Sequence, residues 1–427
     1  MRIGLIPLDD RPPCRLFPVE LGRLAGLEVE VPERAIMGDG KKLLEWVKSR
    51  IAQWDLLIFS ADQIAYGGLV TCRELKLSLE EARQRLDDFI TALTPKTIPF
   101  WCLASCLKTF PKEKPKLRNR NHKINQQEML WLKEGRFDLL VIGQDDCRPM
   151  SATAFEASAL EKEAVKLKLG ENFHIFPGLD EVAGTLICRA AWGSNPAKIE
   201  VKFFPPKGKS SLTLYEDRKV GELLKPHLKL AGGVIDKKYP VGKLFISVPS
   251  LQQTEAASQK PRKAGRLPLI KELKAAQAQG LPVGLADLVY ANGADRALME
   301  LLAQENLLEK LSGFAAWNTA GNALGAAIAH FLLRLKGMEQ KVSVLPHHKF
   351  LLERYLDDWL YQGDLRQKAK KLFPQPQDSL PWLQDQLKNA ARELLKSFPA
   401  KYRLKELKLI YPWDRYFEIE IEAELKG

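Results

Sequence analysis

Two aspartates stand side by side at 145 and 146, directly after the apolar run "LLVIGQ" (139–144). Adjacent carboxylates repel unless a cation, a substrate or a shared proton compensates them. Their place at the end of a buried run therefore calls for a chemical reason. Other runs end the same way. Asp9 and Asp10, with Arg11 next, follow "RIGLIPL" (2–8), Asp62 follows "LLIFSA" (56–61), and Asp180 and Glu181 follow "FHIFPGL" (173–179). Farther on, Asp287 lies in "GLADLVY" (284–290), Asn292 and Asp295 in "YANGAD" (290–295), and Asn318 and Asn322 in "WNTAGN" (317–322).

Many carboxylates, a few amides and some aromatic rings suit glycoside chemistry. One carboxyl acts there as acid and another as base or nucleophile, around an oxocarbenium-like state. Asp145 and Asp146 form the acid/base pair of this reading, one protonated by its neighbour and one ionised, with Asp62 as a third catalytic candidate. Asp9, Asp10, Asp180, Glu181, Asn292, Asn318 and Asn322 would hold substrate hydroxyls, and Arg11 would balance charge or hold an anionic group. Tyr66 and Trp317 are the favoured stacking faces, with Trp101 and Trp413 as further rings. Gly67 and Gly68 in "SADQIAYGGLVTCRE" (60–74) permit positive φ or close backbone approach. No cofactor is expected. The same acids also suit Mg²⁺ or Mn²⁺, which prefer oxygen ligands, in an enzyme acting on a small phosphorylated or polyol substrate. A non-catalytic sugar or anion binder is the third reading.

The bland explanation of an acid after a strand is helix capping. It suits Asp295, which precedes the helical pattern "RALMELL". It suits the others less. Thr153 with Glu156 reads as a capping box for the helix after Asp146, and Ser78 with Glu81 as one for the helix after Asp62.

Nine apolar runs read as strands: 2–8, 54–61, 97–105, 137–144, 173–178, 198–204, 243–249, 282–290 and 313–318. Helical periodicity falls between them, as at 79–93, 152–169, 267–279 and 294–311. Apolar strands alternating with helices imply parallel β/α units buried on both faces. About eight such units favour a (β/α)₈ barrel, which gathers strand ends at one mouth, over an open doubly wound sheet. Residues 1–330 read as this α/β catalytic domain. Residues 331–427 read as a mainly helical C-terminal region ending in a short β segment.

The chain has 427 residues and a formal net charge of +12. Its densest basic stretch, 108–123, has no aromatic after Phe110. A solvated loop, or a basic lid over an anion site, explains it better than nucleic-acid binding, which wants stacking rings. No run is long enough to span a membrane, and the N-terminus reads as a core strand rather than a secretory signal. The expected place is the cytoplasm, where the six cysteines would stay reduced. His347 and His348 read as loop residues. No glycine-rich nucleotide loop or serine nucleophile elbow occurs.

Seven stretches resemble blocks of a bacterial family, domain-of-unknown-function family 4127: "PLDDRPP" (7–13), "SADQIAYGGLVTCRE" (60–74), "GQDDCRP" (143–149), "PGLDEVA" (177–183), "DLVYANGAD" (287–295), "AWNTAGNALG" (316–325) and "PWDRYFE" (412–418). "YEDRKVGELLKPHLKLAGG" (215–233) is similar to another. The blocks follow the family's order across nearly the whole chain. The resemblance implies that the acids belong to the family's pattern and assigns no activity. Cys147, Leu179 and Asp414 depart from it, where Ala, Ala and Gly are usual, and none of them removes an acid.

Overall fold

Each of the nine apolar runs contains a strand, but the strands divide between two sheets. The computed structural model describes residues 1–108, 114–249, 252–259 and 266–426. Two compact units result: one of residues 1–19, 27–186 and 215–217, the other of 20–26, 187–214 and 218–427.

The first unit holds a six-stranded sheet of β1 (Arg2–Ile6), β2 (Glu28–Glu30), β3 (Leu56–Ser60), β4 (Phe100–Cys106), β5 (Leu139–Gln144) and β6 (Phe173–Pro177). Its order is β2-β1-β3-β4-β5-β6 and every pairing is parallel. Strands β3 and β5 are buried at every position, as a sheet covered on both faces requires. The intervening helices are α1 (Pro12–Leu24), α2 (Gly40–Arg50), α3 (Ala61–Tyr66), α4 (Leu79–Thr91), α5 (Pro115–Lys133) and α6 (Ala152–Leu167). The chain leaves β1 for β2 on one side and returns to β3 on the other. The crevice at the carboxyl ends of β1 and β3 is therefore the topological switch point, where open α/β sheets bind ligands.

The second unit follows α7 (Val182–Trp192), whose last residues it includes. Its parallel sheet contains β7 (Ala197–Phe204), β8 (Gly233–Ile235), β9 (Gly242–Ser247), β11 (Val283–Asp287) and β13 (Leu311–Ala315), in the order β13-β11-β9-β7-β8. The short strands β10 (Thr254–Glu255) and β12 (Tyr290–Ala291) pair beside it. Helices α8 (Val220–Leu230), α9 (Arg266–Ala278), α10 (Arg296–Gln304) and α11 (Ala320–Glu339) complete the β/α part. Then come α12 (Leu345–Arg354), a wide π-type segment (Tyr355–Leu365), α13 (Arg366–Leu372), α14 (Leu380–Leu394) and an antiparallel hairpin of β14 (Arg403–Ile410) and β15 (Glu420–Lys426).

The barrel expected from the strand count is not formed: both parallel sheets are open. The runs at β6 and β7 look alike in sequence, yet they do not pair, and closure depends on that pairing. The region after residue 330 does contain helices and a terminal β element. It shares one hydrophobic core with the second sheet, in which Phe245, Leu285 and Phe314 join Leu351, Leu387 and Ile421. His347 and His348 lie in α12 and are buried, not in a loop. No helix among the described residues is long and apolar enough to cross a membrane.

Candidate active site

The acids of the first unit do gather at the carboxyl ends of its strands. Asp9 and Asp10 follow β1, Asp62 lies in the first turn of α3 after β3, Asp145 and Asp146 follow β5, and Asp180 and Glu181 follow β6. Asp9, Arg11, Asp62, Asp180 and Glu181 are all at least 94% buried.

Arg11 organises one side. Its backbone N–H donates to Asp9 Oδ1 at 3.0 Å, and its Nε donates to both Asp9 oxygens at 3.0 and 2.9 Å. Its Nη1 and Nη2 donate to the two Asp180 oxygens at 3.1 and 2.6 Å. One guanidinium thus holds two carboxylates in fork geometry. Burial pushes the Asp180 carboxyl up and Arg11 opposes that push. Asp10 is only partly buried, with Arg34 Nε 3.8 Å away.

Asp145 and Asp146 diverge to different cations. Asp145 forms a tight ion pair with Arg73 of the loop after α3. Asp146, at a positive φ of 44°, meets Lys108 Nζ at 3.0 Å. Burial and the Asp145 charge raise the Asp146 pKa, and Lys108 works against them.

Asp62 is the unusual group. Burial raises its carboxyl to about 7, Asp145 adds to the rise, and Ser105 and Arg73 oppose it. Among the described residues its Oδ2 has no hydrogen-bond partner, nor have the buried Tyr66 Oη and Glu128 Oε2. These groups are electrostatic neighbours. Asp62 raises both the Tyr66 phenol and the Glu128 carboxyl, each already pushed well above its ordinary value by burial. Buried polar atoms left unpaired are rare and costly. Two such atoms beside a carboxyl whose own Oδ2 is also unpaired mark a place prepared for polar ligand atoms.

The glycine pair shapes this pocket. Gly67 ends α3 at φ 88° and Gly68 follows at φ 115°. A Cβ on Gly68 would stand 3.2 Å from the Leu8 carbonyl and 3.1 Å from Gln63, so the loops after β1 and β3 meet through it.

Sequence reasoning missed helix α5, read as loop over its first part. Residues 109–113 of that basic stretch lie outside the described residues. Arg118, Asn121, Asn125 and Glu128 are buried at spacings of three and four, a polar face turned inward. Asn121 and Arg120 donate to the Cys72 carbonyl at 3.2 and 2.8 Å, and Asn125 donates to the Ser105 carbonyl at 3.1 Å. Their spacing was the available signal, hidden by their charge. Arg120 also lies 4.4 Å over the Tyr66 ring, so that face does not receive a substrate.

Capping went partly as expected. Ser78 and Glu81 form a capping box on α4, and Asp295 accepts from the Ala297 N–H at 3.2 Å to cap α10. The cap of α6 is Ser151, not Thr153, which instead donates to the Leu107 carbonyl, while Glu156 binds Arg118. Asp145 and Asp146 cap neither way.

The remaining candidates belong to the second unit. Asn292 and Asn318 both have positive φ, and the Asn292 N–H donates to the Asn318 carbonyl at 2.9 Å. The Asn292 amide donates to Glu255 at 2.7 Å and that of Asn322 to Thr319 Oγ1 at 3.0 Å. Trp317 packs against Phe417 with ring centroids 5.8 Å apart. Asp287, raised to about 7 by burial and Asp295, accepts from the N–H groups of Val289 and Asp295. Backbone contacts thus account for it.

All six cysteines are buried free thiols. No curated protein matches this sequence. A family described as "protein of unknown function (DUF4127)" matches over residues 3–99 and 103–422. The stretches 7–13, 60–74, 143–149 and 177–183, which lie within that match, fall at the strand ends of the first unit just described; with this match over nearly its whole length, the chain belongs to that family.

Proposed function

We propose that the first unit is a hydrolase of glycosidase type, with Asp62 as general acid and Asp145 as its carboxylate partner. The observation that carries this reading is the setting of Asp62: a buried carboxyl whose Oδ2 has no hydrogen-bond partner among the described residues, electrostatically coupled to a second acid that Arg73 pairs, with burial pushing it up to about 7. Two carboxyls with environments pushed apart are what glycoside cleavage requires. A group poised near neutrality can give a proton to a leaving oxygen and take one back from water. Tyr66 and Glu128 supply unpaired polar atoms for hydroxyls. The Tyr66 face is covered, so recognition in this unit runs through hydrogen bonds and charge, which suits a small polyhydroxylated substrate. Asp146, held by Lys108, keeps a supporting role. A cytoplasmic location, in keeping with six unbridged thiols, is part of the same proposal.

The Mg²⁺ or Mn²⁺ reading has less behind it. Asp9 and Asp180 already bind Arg11, and Asp145 and Asp146 bind Arg73 and Lys108. Among the described residues no group of three His, Cys, Asp or Glu side chains is arranged to hold a metal ion.

The test is a screen of chromogenic glycosides and natural oligosaccharides with wild type and Asp62→Asn, with and without chelator. Turnover in the wild type, lost in the variant and indifferent to chelator, supports the proposal. Hydrolysis that survives in Asp62→Asn, or stops with chelator, overturns it.

A further inference from the structure

Arg366, the first residue of α13, is 95% buried, yet its Nε and Nη1 have no hydrogen-bond partner among the described residues. It directly follows the π-type segment, a widened geometry common at functional sites. Its guanidinium lies 5.0 Å over the ring of Phe417. Trp317 packs against the same ring, and its buried Nε1 likewise has no partner among the described residues. Unpaired donors from two distant parts of the chain therefore share one aromatic neighbour. Three carboxylates act on Arg366 electrostatically, but each is engaged elsewhere: Glu255 by Asn292, Asp357 by Arg354 and Gln362, and Glu418 by Arg415. Burial outweighs them and lowers the Arg366 pKa, although a guanidinium keeps its proton. A buried cation without a hydrogen-bonded counterion is expensive.

We propose that the second unit binds an oxyanion group, phosphate or carboxylate, between Arg366 and Trp317 beside the Phe417 ring. The planar guanidinium gives paired N–H groups in the geometry such oxygens accept. Trp317 Nε1 gives a third donor. Gln362 Oε1, buried and unpartnered, can accept from a hydroxyl, which a singly protonated phosphate carries and an ionised carboxylate does not. This site is independent of the hydrolase proposed for the first unit.

The experiment titrates the full-length protein with inorganic phosphate, and separately with malonate, at constant ionic strength, following tryptophan fluorescence and melting temperature. Saturable binding of either ion to the wild type is expected, with Tm raised by a few degrees at saturation. A response to phosphate alone assigns a phosphate group, to malonate alone a carboxylate, and to both a shared oxyanion site. Trp317→Phe, which keeps a ring and loses the N–H, should weaken binding about tenfold. Arg366→Lys should weaken it at least as much, and Arg366→Gln should abolish it. The Lys and Phe variants decide the matter if the Gln variant does not fold. No saturable binding in the wild type, or equal binding in all variants, overturns the proposal.

Discussion

Arg11 Nη2 lies 2.6 Å from Asp180 Oδ1, although β1 and β6 are separated in their sheet by β3, β4 and β5. At about 4.8 Å per strand those two strands stand roughly 19 Å apart. The loops after them therefore lean over the strand ends and meet. Arg11→Met would leave Asp9 and Asp180 buried without their cation. Its expected cost is about 3–5 kcal/mol, the usual penalty for removing one partner of a buried pair. Asp180→Asn, which keeps the Arg11–Asp9 pair, should cost less. Urea denaturation of both variants measures the difference, and equal losses would disprove the bridge.

Asp62 gives a prediction with two readouts. Asp62→Asn should lower turnover about 10²–10⁴-fold, the range for a general acid. Stability should move the other way. A carboxyl raised to about 7 in the fold, from 3.8, binds its proton more tightly folded than unfolded. Its stabilising contribution is complete below about pH 4 and is lost as pH rises through 7. Asp62→Asn should therefore be more stable than wild type at pH 8, with the gap closing toward pH 4. Melting curves across that range check the sign.

Arg73 tunes the same group. Its charge lowers the Asp62 pKa, so Arg73→Met should move the alkaline limb of the pH–rate profile to higher pH. Asp145 raises that pKa. In Asp145→Asn the pH dependence of stability due to Asp62 should then shift to lower pH. Unchanged positions in both variants would break the electrostatic link.

The histidines of the second unit predict sensitivity to acid. His330 Nε2 and His347 Nδ1 are 3.1 Å apart, and His347 Nε2 meets the Leu311 carbonyl at 3.0 Å. Burial lowers His330 to about 3, His348 to about 4, and His347 well below 6.5. The stability they allow is present above pH 6.5 and is lost as pH falls toward those values. His348 packs edge-on to Phe398 and Tyr402, so His348→Phe should fold. Its plot of stability against pH between 6.5 and 4 should be less steep by one proton.

Gly68→Ala should destabilise by more than Gly135→Ala. Both glycines have positive φ, which costs alanine about 1 kcal/mol. Only Gly68 would also press a Cβ against the Leu8 carbonyl, whereas a Cβ on Gly135 meets nothing within 4 Å. Thermal unfolding of the two variants compares them directly.

Much of the scaffold could be read from the chain because a strand covered on both faces must be apolar throughout. "LLIFS" and "LLVIGQ" are strands for that reason. The acids after them reach the ligand-binding ends because parallel strands share direction. Pairing could not be read. Nothing in "FHIFP" or "AKIEVKFF" says that β6 and β7 part company, so two open sheets passed for one closed barrel. Helix α5 was lost for the opposite reason. Arg118, Arg120 and Glu128 look like solvent residues, and for the two arginines only their partners reveal why they are inside. Arg366 was invisible on the same ground, its role resting on bonds it does not make.

The two units are interlaced along the backbone, which passes from one to the other after residues 19, 26, 186, 214 and 217. A module gained by fusion arrives as one uninterrupted stretch, and these units did not keep that form. Splitting the gene at codon 186 would strip each product of a piece its partner carries, three residues in one case and seven in the other. All six strands of the first sheet lie before residue 178, so synthesis completes that set well before the last strand of the second sheet ends at Ala315.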